Sequence, residues 1–143
     1  MSTEKLAKEI SELLPIFLRN MYPFVFNPMP VPPSQVLAIC SIDEAGGCTL
    51  TELKKMMHVS APTITGIVDR LERDGYITRH ISKEDRRVKI VKLTQKGQNL
   101  IKKFRANVKK RWEYILSKMP EQMGATQVQI MRRITSGFKD GSI

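Results

Sequence analysis

Residues 60–94, SAPTITGIVDRLERDGYITRHISKEDRRVKIVKLT, constrain this chain more than any other stretch. They predict a helix, a glycine stop, a strand, a charged turn and a second strand. Ser60 is a good N-cap, and Pro62 fits a first turn whose N–H groups have no intrahelical partner. Ile64, Ile67, Val68 and Leu71 recur at i, i+3, i+4 and i+7, which marks one apolar helix face. The opposite face carries Thr63, Thr65, Gly66, Asp69, Arg70 and Arg73. Gly75 stands where a helix end favours a left-handed residue. Residues 76–81 and 88–94 are rich in β-branched and aromatic types, as strands are. Between them Lys83-Glu84-Asp85-Arg86-Arg87 is too polar to bury. A helix that packs one side and offers hydroxyls and arginines on the other suits a DNA major groove. An arginine-tipped hairpin beside it suits a phosphate backbone or a narrow minor groove.

The segment before it supplies a second helix. Thr49 caps it, and Glu52 three residues later completes a capping box. Leu50, Leu53, Met56 and Met57 are expected to pack inward, and His58-Val59 forms the tight turn into the next helix. Neither His58 nor His80 has a partner pattern that suggests more than a turn or strand position.

These residues together resemble the winged helix-turn-helix of the MarR family of transcriptional regulators. The resemblance rests on Thr49-Leu50-Thr51-Glu52-Leu53, Val59-Ser60, Val68-Asp69-Arg70-Leu71-Glu72, Asp74-Gly75-Tyr76-Ile77, Asp85-Arg86-Arg87 and Val91-Lys92-Leu93-Thr94, and covers about residues 33–119. It implies a mainly α fold with a small β-wing, in which terminal helices form a dimerisation region. It also implies groove-facing positions at Ser60, Pro62, Thr63, Thr65 and Arg70. The wing would present Asp85, Arg86 and Arg87, with Arg87 entering the minor groove and Asp85 bracing it through a carboxylate–guanidinium pair. Ala61 and Gly66 stand where relatives often carry larger polar residues, which shifts weight toward shape and phosphate contacts. The expected activity is sequence-specific binding of double-stranded DNA at a palindromic operator, as a homodimeric repressor. The resemblance further implies release by a small aromatic or phenolic ligand, in a cleft lined by Phe17, Met21, Tyr22, Phe24 and Phe26.

At 143 residues the chain is expected to form one domain overall. A formal charge of +10 and a pI near 9.9 favour a polyanionic partner. A non-specific basic nucleic-acid-binding protein is the rival reading, although aromatic platforms for stacking single strands are missing. Cys40 and Cys48 match no metal or redox spacing, and Cys40 reads as a small core residue. A thiol-redox-sensing regulator of the same fold is the other alternative. No metal cluster, nucleophile elbow or phosphate loop is legible, so neither an enzyme nor a cofactor is expected. No run is apolar and long enough to span a bilayer, and the N-terminus lacks a signal-peptide pattern. A cytoplasmic protein with no membrane partner is expected.

The flanks read as helices. Leu6, Ile10, Leu13, Leu14, Phe17 and Met21 share a broad face over residues 3–21, with Pro15 expected to kink or break the helix. Residues 23–33, rich in proline, read as an extended connector, a departure from the family pattern. A helix apolar nearly all round, and therefore buried, follows over residues 33–45, with Val36, Leu37, Ile39, Cys40 and Ile42; Gly46-Gly47 stops it. Thr94 caps a long helix to about Met119, with a stripe of Leu100, Ile101, Phe104, Val108, Trp112, Ile115 and Leu116. Pro120 starts a last helix bearing Met123, Val128, Met131, Ile134 and Phe138. Such stripes exceed what a small winged domain can cover, so a second copy of the chain is expected there. Residues 1–32 and 95–143 are assigned to dimerisation and 33–94 to the winged lobe.

Overall fold

A computed structural model describes all residues, Met1–Ile143. The order is α1 (Thr3–Phe26), α2 (Pro33–Ala45), β1 (Cys48–Thr49), α3 (Leu50–Met57), α4 (Ala61–Arg73), β2 (Ile77–Ile81), β3 (Lys89–Leu93), α5 (Gln95–Leu116) and α6 (Glu121–Asp140). This is the expected mainly α architecture with a β-wing. The chain separates into two compact units, Met1–Asn107 and Val108–Ile143.

Two expectations for the N-terminus are corrected. Pro15 does not end the first helix, and residues 23–26 are helical rather than extended. A proline removes one backbone hydrogen bond, here leaving the carbonyls of Ser11 and Arg19 without their usual i+4 donors. Both residues are exposed, so water can satisfy those oxygens. The connector shrinks to residues 27–32, and Tyr22, Phe24 and Phe26 lie on α1.

The core centres on the winged lobe and is completed by Met29, Leu100 and Ile101 from either side of it. Val36, Ala38, Ile39 and Ile42 of α2, Leu53 of α3, Ile64, Ile67, Val68 and Leu71 of α4, and Ile77 and Val91 of the sheet are buried together. Leu37 is 48% exposed, because α2 buries one side only, a correction to the expectation of burial all round. In α3 the capping box forms: Thr49 Oγ1 accepts from Glu52 N at 3.1 Å, and Glu52 Oε2 accepts from Thr49 N at 3.4 Å. Met56 is exposed, not inward; a two-turn helix packs one stripe, and Leu50, Leu53 and Met57 occupy it. His58 ends α3 in the left-handed region, with φ +54°.

The sheet order is β1-β3-β2, all antiparallel. Strand β1, where Cys48 faces Val91 and Thr49 faces Ile90, was not anticipated; two residues carry no legible period. The helix after the wing ends at Leu116, short of Met119: Lys118 N and Met119 N donate to Ile115 O and Leu116 O, a tighter turn that leads into Pro120. In the second unit Leu116 packs over Gly124. No helix is long and apolar enough to cross a membrane.

Candidate nucleic-acid interface

Helix α4 is a bound face and a free face. Its apolar stripe is buried, while Ser60, Pro62, Thr63, Thr65 and Arg70 are all exposed. The predicted residues therefore share one accessible surface. Ser60 caps the helix: its Oγ accepts from Thr63 N at 3.3 Å and lies 2.8 Å from Thr63 Oγ1. Thr65 Oγ1 donates back to Ala61 O at 2.9 Å. These hydroxyls keep lone pairs, and the helix N-terminus adds partial positive charge for a phosphate. Gly66 leaves room for the Arg70 guanidinium, which lies 3.8 Å from where a Cβ would sit.

The C-terminus of α4 is tied to the start of α5. Gly75, at φ +81°, supports paired capping bonds from Gly75 N to Glu72 O and from Tyr76 N to Leu71 O. Thr94 Oγ1 donates to Gly75 O at 2.6 Å and also accepts from Gly97 N at 3.2 Å. Lys96 Nζ donates to Asp74 O at 2.7 Å and stands 4.4 Å from the Tyr76 ring centre.

The wing is locally ordered by its own side chains. Ser82 N donates to Val88 O, and Ser82 Oγ accepts from Glu84 N at 3.3 Å. Asp85 holds Arg87 as expected: Oδ1 accepts from Arg87 N at 3.0 Å and from Nε at 3.2 Å, and Oδ2 accepts from Nη2 at 3.4 Å. The Arg87 backbone N–H, then its guanidinium, hold the Asp85 carboxyl below the usual carboxylate range. Arg86 is exposed beside it, and the Arg87 side chain is 91% exposed.

Arg79 was missed. It follows Ile77 by two along β2 and so shares its inward face, the one legible hint. Its guanidinium donates to Asp69 Oδ1, and its Nε lies 3.3 Å from Glu72 Oε1. The contact to Asp69 is an aligned hydrogen bond; that to Glu72 is charge attraction without alignment.

The aromatic set is not gathered into one lining. On a helix Phe17, Met21 and Phe24 fall on one stripe, whereas Tyr22 and Phe26 fall on another. Phe17, Tyr22 and Phe24 are about half exposed. The Tyr22 and Phe26 rings are 5.2 Å apart, and Phe26 stacks on Phe104 at 5.9 Å. Two open hollows mark the same unit, one beside Arg79, His80 and Lys89, the other beside Asp43, Lys92 and Gln98; none of the five residues lines either. Burial pushes both thiols up: Cys48 is buried and Cys40 half-buried. No three His, Cys, Asp or Glu residues converge to hold a metal ion.

A three-stranded wing joined to a capped helix pair with an exposed second helix defines a winged helix-turn-helix protein. The sequence model of the MarR family matches residues 31–89. Residues 31–89 are thus similar to the MarR-family domain. It is similar to the HTH-type transcriptional regulator PapX of Escherichia coli, 40% identical over 69 residues, which are 48% of this chain and 42% of that protein. The chain spans about half the length of the curated relatives it matches. They are regulators of transcription rather than enzymes. A MarR family protein from Bacillus stearothermophilus has the same fold, with a TM-score of 0.83 and 22% identity over 97% of this chain and 99% of that one. So does BpsR of Bordetella bronchiseptica, with a TM-score of 0.69 and 18% identity over 89% and 98%.

Proposed function

We propose that this chain is a cytoplasmic, sequence-specific regulator that binds double-stranded DNA as a homodimer and represses from an inverted-repeat operator. The observation that carries this reading is the pairing of the exposed α4 face with a wing whose Arg87 is already held by Asp85. In this reading Ser60, Pro62, Thr63, Thr65 and Arg70 meet the major groove. Arg86 and Arg87 meet the phosphates and the minor groove. Selection of bound duplexes from a random pool is the test. Recovery of an inverted repeat, with half-sites about one DNA turn or roughly 34–36 Å apart, is expected. A pool that binds without enrichment overturns it in favour of a non-specific basic binder.

Residues 1–32 and 95–143 are the proposed dimerisation region. None of the 24 residues of α1 is buried, although Leu6, Ile10, Leu13, Leu14 and Leu18 are apolar. On α6 Met123, Ile130, Met131 and Phe138 are likewise exposed. Faces of that kind are stable in water when a second surface covers them. Light scattering at micromolar concentration should report twice the 16.4 kDa chain mass. A monomer would remove the basis for a palindromic site.

The proposed signal is a small aromatic acid, with Tyr22 and Phe26 as one wall of its cleft. BpsR, the neighbour of like fold, has its DNA binding regulated by 6-hydroxynicotinic acid. The raised thiol pKa values favour a ligand over a redox signal, since the thiolate is the reactive form. A ligand that weakens operator binding must itself be weakened equally by operator. Calorimetry with and without duplex checks that equality. Release by peroxide in wild type but not in Cys40→Ser, Cys48→Ser would replace the ligand with a thiol.

A further inference from the structure

The α4 face offered to DNA carries acids. The lobe of residues 33–94 holds ten basic and eight acidic side chains, so it has little spare positive charge. Asp69 and Glu72 are three residues apart and therefore neighbours on the helix surface. Left alone, two carboxylates there would repel a phosphate backbone. They are not alone: one guanidinium, that of Arg79, reaches both. Its side chain is only 22% exposed, against 59% for Asp69 and 42% for Glu72. The residue that carries it cannot drift, because β2 is paired with β3 along its whole length, Arg79 facing Val91.

Apolar packing of Ile64, Ile67, Val68 and Leu71 decides which face of α4 is buried, but it is non-directional and sets the fine rotation of the helix less firmly. An ion clamp from a sheet to two points on one helix face sets rotation. We propose that Arg79 is a positioning residue: by tying Asp69 and Glu72 to β2, it fixes the angle at which α4 presents its groove-facing residues. This rests on the DNA-binding reading above. It assigns the two acids a favourable role in recognition despite their charge.

The sign of one substitution decides between this and plain repulsion. Asp69→Asn with Glu72→Gln removes two negative charges near the DNA. If the carboxylates only repel, operator binding tightens. If they position the helix, operator binding weakens by about five- to tenfold, the scale of two partly exposed ion pairs. Binding to random duplex then holds or tightens, so the operator-to-random ratio falls. Arg79→Lys should give an intermediate ratio, because one ammonium cannot span both acids as a planar fork does. Titrations would use the full chain and the selected operator at several salt concentrations, with melting curves beside them. Should the double variant fail to fold, Glu72→Gln alone carries the same sign test. A tighter operator complex, or an unchanged ratio, overturns the proposal while wild-type operator binding stands. A wild type that selects no sequence overturns the DNA-binding reading instead.

Discussion

Alanine at position 97 is expected to destabilise the protein by about 1–2 kcal/mol net, even though alanine is the better helix former. Propensity favours Gly→Ala in a helix interior by about 0.5–1 kcal/mol. Gly97, however, is buried in the first turn of α5 against Tyr76, just past the capped end of α4. A Cβ there would fall inside any real non-bonded distance of the Tyr76 carbonyl oxygen and 3.3 Å from its carbon. That carbonyl already accepts from Thr94 N at 3.0 Å, so it cannot withdraw without losing the bond. Overpacking against backbone costs about 1–3 kcal/mol and at times more, which outweighs the propensity gain. The melting temperature should fall by roughly 3–8 °C. Gly66→Ala is the contrast. Its Cβ would meet only the Arg70 guanidinium, at 3.8 Å, so propensity wins and stability should rise by about 0.5–1 kcal/mol. Thermal melts of the two variants should move in opposite directions; a stabilised Gly97→Ala protein would refute the close approach.

Arg87→Ala should lower operator affinity by about 1–3 kcal/mol, the scale of one well-placed arginine contact. The side chain projects into solvent, yet Asp85 fixes its backbone and its guanidinium together. Little ordering remains to be lost when it enters a narrow groove. The slope of log affinity against log salt should fall by up to about one unit. Asp85→Ala should also weaken binding although it removes a negative charge from the DNA side. Tighter binding would mean the carboxylate only repels. The brace has a stated pH range. A lowered folded pKa means it is complete above the ordinary carboxylate range and is lost as pH falls through the lowered value. Operator affinity should hold across mildly acidic buffer as far as this pair is concerned. Circular dichroism of both variants must match wild type before the titrations are compared.

Local chemistry made much of the winged lobe legible. Ser60, Thr49 with Glu52, and Gly75 announce helix ends through short-range capping bonds. The Ile64, Ile67, Val68, Leu71 period announces which face is buried. Asp85 and Arg87 are two residues apart, so their pairing needs only a turn. The exposed row from Ser60 to Arg70 follows from the same period, read from its other side.

Contacts between distant residues were not legible, because period and propensity describe one element at a time. Pro15 and Pro23 looked like breaks, yet a solvated helix lets water serve the carbonyls they free. Met56 and Leu37 looked inward, but how much of a helix is covered depends on its neighbours. The two-residue strand β1 exists through its register with Val91 and Ile90 and has no signature of its own. Arg79 meets Asp69 and Glu72 because a glycine turn folds β2 back along α4, and Lys96 reaches Asp74 across twenty-two residues. Capping, periodicity and turn chemistry thus set the elements and the exposed face within the chain's own short range. The packing of one element on another set the clamps that hold that face, because ion pairs and carbonyl latches need positions that only the folded lobe brings together.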